Sequence, residues 1–287
     1  MYTCIVCEHI IISETWVCNN CNWQAENTNG YLTFAPELSL QNSHFNSNDF
    51  EFLAAAEHKH FWFRARNNLI CWALSKFFKN AQTFLEIGCG TGYVLSNIQN
   101  RFPNLSVTGS DIYVTSLPFA KKRIKSNTEL FQMDARQMPF RNQFDVIGAF
   151  DVLEHIEEDE VVINQMFNAL TDRGGVILTV PQHPSLWSAS DRASCHVRRY
   201  KVNELQKKLE NAGFKIKMTS SFVFLLLPLM IASRIIHNNK YDPKNELIIG
   251  KRINYMLEKI LNLEIKLIKL GLSLPIGGSR FIIATKQ

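Results

Sequence analysis

The chain has 287 residues, 46% of them hydrophobic and 20% charged, with a formal net charge of +5 at neutral pH. That length holds one large α/β domain and a small appendage, and the composition is that of an ordinary globular protein. The charge is too modest to argue for a nucleic-acid partner by itself. No apolar run reaches the ~18–20 residues that span a bilayer; the nearest, Phe222 to Ala232, is short and interrupted by Pro228.

In chain order, the first signal is a pair of CxxC units, Cys4 with Cys7 and Cys18 with Cys21, ten residues apart. Two such knuckles supply four thiolates to one tetrahedral Zn2+. The first residues have neither the basic stretch nor the apolar stretch of a signal peptide, so a cytoplasmic location and metal ligation, rather than disulfides, are expected. A closed Cys4 site leaves no position open for chemistry. It is therefore read as a structural zinc ribbon over residues 1–30, folded by its metal.

Residues 31–80 read as a linker and N-terminal helices. The stretch 36–50 is polar and weakly patterned, and 51–79 is helical in pattern and rich in aromatics. From residue 83, strands alternate with helices. Strands are expected at 83–87, 106–111, 129–133, 144–150, 175–180, 214–218 and 279–285. Helices are expected at 92–100, 116–126, 157–170 and 202–212, the last closed by Gly213. This alternation predicts an α/β fold, a doubly wound, mostly parallel sheet over residues 81–287. Ligands then bind at the carboxyl ends of the strands. Residues 219–278 are a helical insertion between strands 6 and 7, longer than any hairpin needs.

The first strand ends in Glu86 and runs into Gly88-Cys89-Gly90-Thr91-Gly92 before a helix. A glycine-rich turn alone also suits dinucleotides. A carboxylate immediately before the glycines would repel a pyrophosphate, but it can pair with the amino group of an amino-acid moiety. Asp111 ends the second strand, where a carboxylate accepts ribose hydroxyls. Asp134 follows the third, where it can accept from an adenine amine. With Phe144-Asp145-Val146-Ile147 leading into Asp151-Val152-Leu153-Glu154-His155, residues 83–180 resemble the class I S-adenosylmethionine-dependent methyltransferases. The resemblance implies a Rossmann-like sheet of seven strands whose last, Arg280 to Thr285, is antiparallel. It also implies cofactor contacts from Glu86, Gly88, Cys89, Gly90, Gly92, Asp111, Ile112, Asp134, Ala135 and Phe150.

On the acceptor side, His155 is the candidate general base, because an imidazole titrates near neutrality; the other reading is that it packs beside the cofactor. The Asp151–His155 pattern also resembles quinone-biosynthesis O-methyltransferases, in which a comparable set holds Mg2+; here Asp151, Glu154 and His155 would be the ligands. The segments around Glu57–Asn67 and Asp191–Tyr200 resemble a bacterial methyltransferase group associated with polysaccharides and lipid-linked glycans. Trp62, Arg66, His196, Arg198, Arg199 and Tyr200 are the candidate acceptor-binding residues: paired arginines suit a phosphate or carboxylate, and an aromatic face suits a sulfonium; the other reading is that Arg198 and Arg199 make salt bridges and that the aromatics belong to the core.

The expected activity is methyl transfer from S-adenosylmethionine to an oxygen of a small or lipid-linked acceptor, glycan or quinone-type. Two alternatives stay open: a zinc-ribbon-guided RNA methyltransferase, and a non-catalytic module that only binds the cofactor. Against RNA, the ribbon is poor in Lys and Arg; DNA is not expected. Residues 222–270, apolar with interspersed Lys251, Arg252, Lys259, Lys266 and Lys269, read as a lid, as a dimer helix or as a peripheral contact with the inner face of the membrane.

Overall fold

The computed structural model describes residues 2–11, 16–41, 47–236 and 247–287; the parts of the expected ribbon, linker and insertion at 1, 12–15, 42–46 and 237–246 lie outside the described residues. Two short strands, β1 (Tyr2–Thr3) and β2 (Ile10–Ile11), pair near the cysteines, and β3 (Glu26–Thr28) and β4 (Tyr31–Thr33) form a hairpin. Helices α1 (Pro36–Gln41), α2 (Ser47–Ala56) and α3 (Phe61–Phe77) follow. The alternating part is β5 (Thr83–Ile87), α4 (Tyr93–Arg101), β6 (Ser106–Asp111), α5 (Leu117–Arg123), β7 (Glu129–Gln132) and β8 (Phe144–Phe150). It continues with α6 (Asp159–Ala169), β9 (Leu170–Pro181), α7 (Ala189–Ala193), α8 (Glu204–Asn211), β10 (Phe214–Phe222), α9 (Leu227–Ile236), α10 (Lys251–Lys269) and β11 (Ser279–Lys286).

The seven expected strands lie in the order β10-β11-β9-β8-β5-β6-β7, with β11 antiparallel to both neighbours. Beyond β7 the sheet gains two more: β4 pairs parallel to β7 through Leu32 with Phe131, and β3 closes the edge. A boundary at residue 30 therefore cuts a hairpin that belongs to the main sheet. Successive residues of a strand face opposite sides. Val146, Ile177 and Phe281 pack under α3, α4, α5 and α10, while Ile147, Leu178 and Ile282 pack under α6 and α8.

No helix links β7 to β8, although a parallel crossover commonly uses one. The N-terminal module covers that place. Trp16 meets Phe34 and Phe131 edge to face, with ring centres 4.9 Å and 5.7 Å apart, and Phe140 sits 5.1 Å from Phe144. The Thr3 N–H donates to Pro139 O at 3.0 Å, and Gln132 clamps Ala35 through its N–H and its carbonyl.

Other boundaries move for identifiable reasons. The expected linker at 36–50 holds α1 and the start of α2; its polar pattern hid helices because α2 buries little besides Phe50. Helix α6 stops at Ala169, since Leu170 already pairs with Phe144. Strand β10 runs on to Phe222 because β11 matches it from Lys286 back to Ser279.

In the insertion, Leu257, Leu261, Ile265 and Ile268 recur at helical spacing and bury one face of α10 against the α3 side of the core. Asn254 accepts from the Phe61 N–H at 2.8 Å, and Arg64 donates to Glu258 at 2.9 Å. The buried Glu264 accepts the N–H groups of Phe224 and Leu225. The opposite face exposes Met256 and Leu263 beside Lys259 and Lys266. Among the described residues, no helix is long and apolar enough to cross a membrane.

Because Trp16 packs into the main core, Trp16→Ala should cost about 3–5 kcal/mol in denaturant unfolding of the whole chain. A single transition moved to lower denaturant is expected. A loss confined to a small early step would show a separately folding bead.

Candidate functional site

The site begins at the turn between β5 and α4. Gly88, Gly90 and Gly92 all have positive φ (67°, 50° and 73°), a region L-residues enter only with strain. A Cβ on Gly88 would lie 2.5 Å from a Val152 methyl, and one on Gly92 would lie 2.8 Å from Ala120 Cα; Gly90 faces open space. Two glycines thus let the turn pack against the chain after β8 and against α5. The third leaves room for a ligand.

Acids surround that room. Glu86 is buried with Oε2 unpartnered. Burial raises its carboxyl well above the usual range, and Glu57 and Asp111 add to the rise while Arg66 opposes it. Asp111 accepts from the Gly90 N–H at 2.7 Å and from the Tyr113 N–H at 2.9 Å; burial pushes its carboxyl up to about 6. Cys89 is buried beneath the turn, and its N–H donates to Ser110 O. Asp134 and Ala135 follow β7, and Asp134 holds the Arg136 guanidinium at 3.0 Å. Phe150 and Ala135 are buried, and Ile112 is half-buried beside Asp111.

Over the cleft, Arg66 of α3 pairs with Asp151, and its guanidinium lies 4.4 Å above the Trp62 ring. Trp62 therefore supports Arg66 with the face expected to meet a sulfonium. One cluster was not legible in the sequence. Glu57 is buried, accepts from Thr91 Oγ1 at 2.5 Å and pairs with Arg123 at 2.6 Å, tying the end of α2 to the glycine turn and to α5. Arg123 stands too far along the chain for any spacing rule to join it to Glu57.

After β8, Glu154 is fully buried and neither carboxylate oxygen has a hydrogen-bond partner; burial raises its carboxyl well above the usual range, with Asp151 adding. His196 Nε2 lies 3.9 Å from Glu154, and His196 Nδ1 lies 3.0 Å from Asp191. The His155 and His196 rings meet edge to face at 4.8 Å. Burial lowers His155 to about 4, with His196 reinforcing the shift, so His155 is a neutral imidazole at pH 7.

The set expected for Mg2+ does not form. Asp151 turns to Arg66, and the donors that converge are Glu154, His155 and His196. Mg2+ takes oxygen ligands in near-octahedral geometry, whereas two imidazoles and one carboxylate do not supply them. The residues present do not fit that ion.

The proposed acceptor residues also have other partners. Arg199 is buried and donates to Asp191 at 2.7 Å and to Gln182 O at 3.0 Å. Arg198 pairs with Asp159 at 2.9 Å. Tyr200 is fully buried and donates to Asp159 at 2.6 Å. Arg199 and Tyr200 thus fasten the 183–200 segment to the core through Asp191, Gln182 and Asp159.

At the N-terminus, the cysteine sulfurs form two close pairs, Cys4 with Cys21 at 3.6 Å and Cys7 with Cys18 at 3.5 Å. Four Zn–S bonds of about 2.3 Å make a tetrahedron with edges of about 3.8 Å, so the four thiols fit that ion. The Asn20 amide and the backbone beside His9 lower the Cys7 thiol to about 6.

The family described as "Methyltransferase domain" matches residues 55–218. The malonyl-[acyl-carrier protein] O-methyltransferase of Priestia megaterium is 25% identical over 114 residues, 39% of this chain and 42% of the relative. The enzyme of the same name from Acetivibrio thermocellus is 26% identical over 145 residues, 50% of this chain and 46% of the relative. The match therefore spans less than half the length of these relatives. Among solved structures, phosphoethanolamine N-methyltransferase 2 of Haemonchus contortus, in complex with S-adenosyl-L-methionine, is similar in fold. Its TM-score is 0.58 at 18% identity, covering 86% of this chain and 59% of that one.

His155 titrates below its ordinary value of 6.5, so protonation favours the unfolded chain. Its contribution to stability is present above pH 6.5 and is lost as pH falls toward 4. Wild-type protein should therefore lose stability faster than His155→Gln between pH 7 and 4.5 in denaturant titrations. Parallel curves would place His155 in solvent.

Proposed function

Because this chain belongs to the methyltransferase-domain family and is an S-adenosylmethionine-dependent methyltransferase, we propose that it methylates an oxygen of a small or lipid-linked acceptor, glycan or quinone-type. The observation that carries the assignment of the cofactor's place is the acid-lined room above Gly90. A sulfonium and an ammonium both offset the repulsion among Glu86, Asp111 and Glu57, and a pyrophosphate would worsen it. Glu86 faces the ammonium. Asp111 takes the ribose hydroxyls, and Asp134 with Ala135 takes the adenine. Arg66 pairs with the cofactor carboxylate, exchanging part of its contact with Asp151.

The acceptor lies between the Asp151–His155 segment and the residues after β9. The enzyme's main contribution is to place the nucleophile in line with the methyl group. His155, neutral at pH 7, takes the acceptor's proton as the nucleophile attacks the methyl carbon and the sulfonium leaves as a thioether. The relatives named malonyl-[acyl-carrier protein] O-methyltransferase favour oxygen over nitrogen as the acceptor atom. For a lipid-linked acceptor, the exposed Met256, Lys259, Leu263 and Lys266 of α10 are the side turned to an anionic surface.

The four N-terminal cysteines hold one structural Zn2+, which supplies the module with folding energy rather than a reacting group. Chelator-treated protein and Cys18→Ser should each lose one equivalent of zinc and unfold at lower temperature. Zinc-free protein of unchanged stability would remove this assignment.

Calorimetric titration with S-adenosylhomocysteine should give micromolar binding. Asp111→Ala should weaken it at least about tenfold, the cost of lost hydrogen bonds to a charged acceptor. Affinity should also fall as pH drops through about 6, where Asp111 takes up a proton. Equal binding by the variant would move the ribose elsewhere.

A further inference from the structure

Among the described residues three arginines are buried, and two of them face an acid: Arg66 has Asp151 and Arg199 has Asp191. Arg280, at the start of β11, is 4% exposed. Among the described residues no carboxylate lies within ion-pair distance of it, Nε is buried without a partner, and its one hydrogen bond runs to Ser221 Oγ at 3.4 Å. A buried guanidinium without a counter-charge is strongly destabilising, so its place in the fold asks for a ligand.

Two neighbours carry the same deficit. Ser221 Oγ donates to Gln182 Oε1 at 2.7 Å, which leaves Gln182 Nε2 buried without a partner. His183 Nε2 is also buried and unpartnered. His183 directly follows Gln182, whose side chain meets the same Ser221 hydroxyl as Arg280; burial lowers its imidazole, and the charges of Arg199 and Arg280 add to the shift. His183 has φ +64°, held there by its N–H donating to Tyr200 O at 2.8 Å. Such strain persists where the surroundings impose it, and it clusters at ligand sites.

The location is at the working edge of the sheet. Arg280 pairs in register with Val180 of β9 and with Ser221 of β10. Because β11 is antiparallel, its first residues lie at the carboxyl end of β9, the same edge that carries Glu86 and Asp151.

We propose that Arg280, Gln182 and His183 form an anion subsite that binds a carboxylate or phosphate group carried by the methyl acceptor. A guanidinium fork with two further donors matches the planar, multi-acceptor geometry of these groups. This rests on the reading that the acceptor lies beyond β9, and it restricts that acceptor to an anionic molecule. The anion stays unreacted; the subsite fixes the far end of the acceptor while the nucleophile faces the methyl group.

The test uses the full-length, zinc-loaded protein, with thermal unfolding followed in inorganic phosphate, in acetate, and in chloride at matched ionic strength. Wild type should be stabilised saturably by phosphate or by acetate beyond the chloride control. The anion acting at lower concentration identifies the acceptor group as phosphoryl or carboxylate. Arg280→Met should lose this response and, without anion, unfold no earlier than wild type, since an unpaired buried charge has gone. Gln182→Glu places an acid beside Arg280; it should raise the melting temperature and also abolish the response. Both variants should keep wild-type affinity for S-adenosylhomocysteine, so a failure here is distinct from a failure of the cofactor assignment. The proposal is overturned if neither anion exceeds chloride, or if the Gln182→Glu protein responds as wild type does. It is equally overturned if Arg280→Met unfolds early while wild type ignores both anions, the behaviour of a purely structural arginine.

Discussion

Glu57, Glu86, Asp111 and Glu154 are all buried at one edge of a parallel sheet, where water cannot screen them. Burial raises each of these carboxyls, with Glu57 and Asp111 adding to the rise at Glu86 and Asp151 to that at Glu154. Two cations reach in, Arg66 from α3 and Arg123 from α5, and each is already committed to one acid. The surplus of negative charge constrains everything built around it. It suits a ligand bearing positive charge.

The glycine turn can occupy this edge because of packing on both sides. A side chain at residue 88 would strike Val152, and one at residue 92 would strike Ala120. The turn is thereby locked between the chain after β8 and the helix after β6, and its amides have fixed directions. The Glu57–Thr91–Arg123 cluster adds a third fastening from α2. Backbone donors pre-set in this way bind a ligand without further ordering cost.

The N-terminal module is part of the same construction. It extends the sheet beyond β7 and covers the crossover to β8, which lacks a helix. Gln132 joins it to the cofactor side: its amide bonds Ala35 and also donates to Ile112 O, beside Asp111. A change at the cysteines therefore has a short covalent and hydrogen-bonded route to the residues that follow β6 and β7. The insertion plays the corresponding part on the opposite face, with α10 held to the start of α3 through Asn254 and Glu258.

The sequence by itself determined what depends on neighbours along the chain. The strand segments that alternate with helices, the glycine turn with Glu86 before it, Asp111 ending β6 and the CxxC spacing are local patterns, and each is where the spacing placed it. Only the tertiary structure decided what depends on long-range partners. Arg198, Arg199 and Tyr200 read as acceptor contacts, yet Asp159 and Asp191 claim them, because burial forces an arginine and a phenol to find acids inside the protein. Asp151 read as a metal ligand, and Arg66 claims it. Residues 26–33 read as ribbon and linker, and the free edge of β7 recruits them, since a sheet edge accepts any strand whose register fits. Arg280 read only as the start of the last strand. That no acid among the described residues faces it is a property of the neighbours that β9 and β10 bring to it, and no local pattern encodes it.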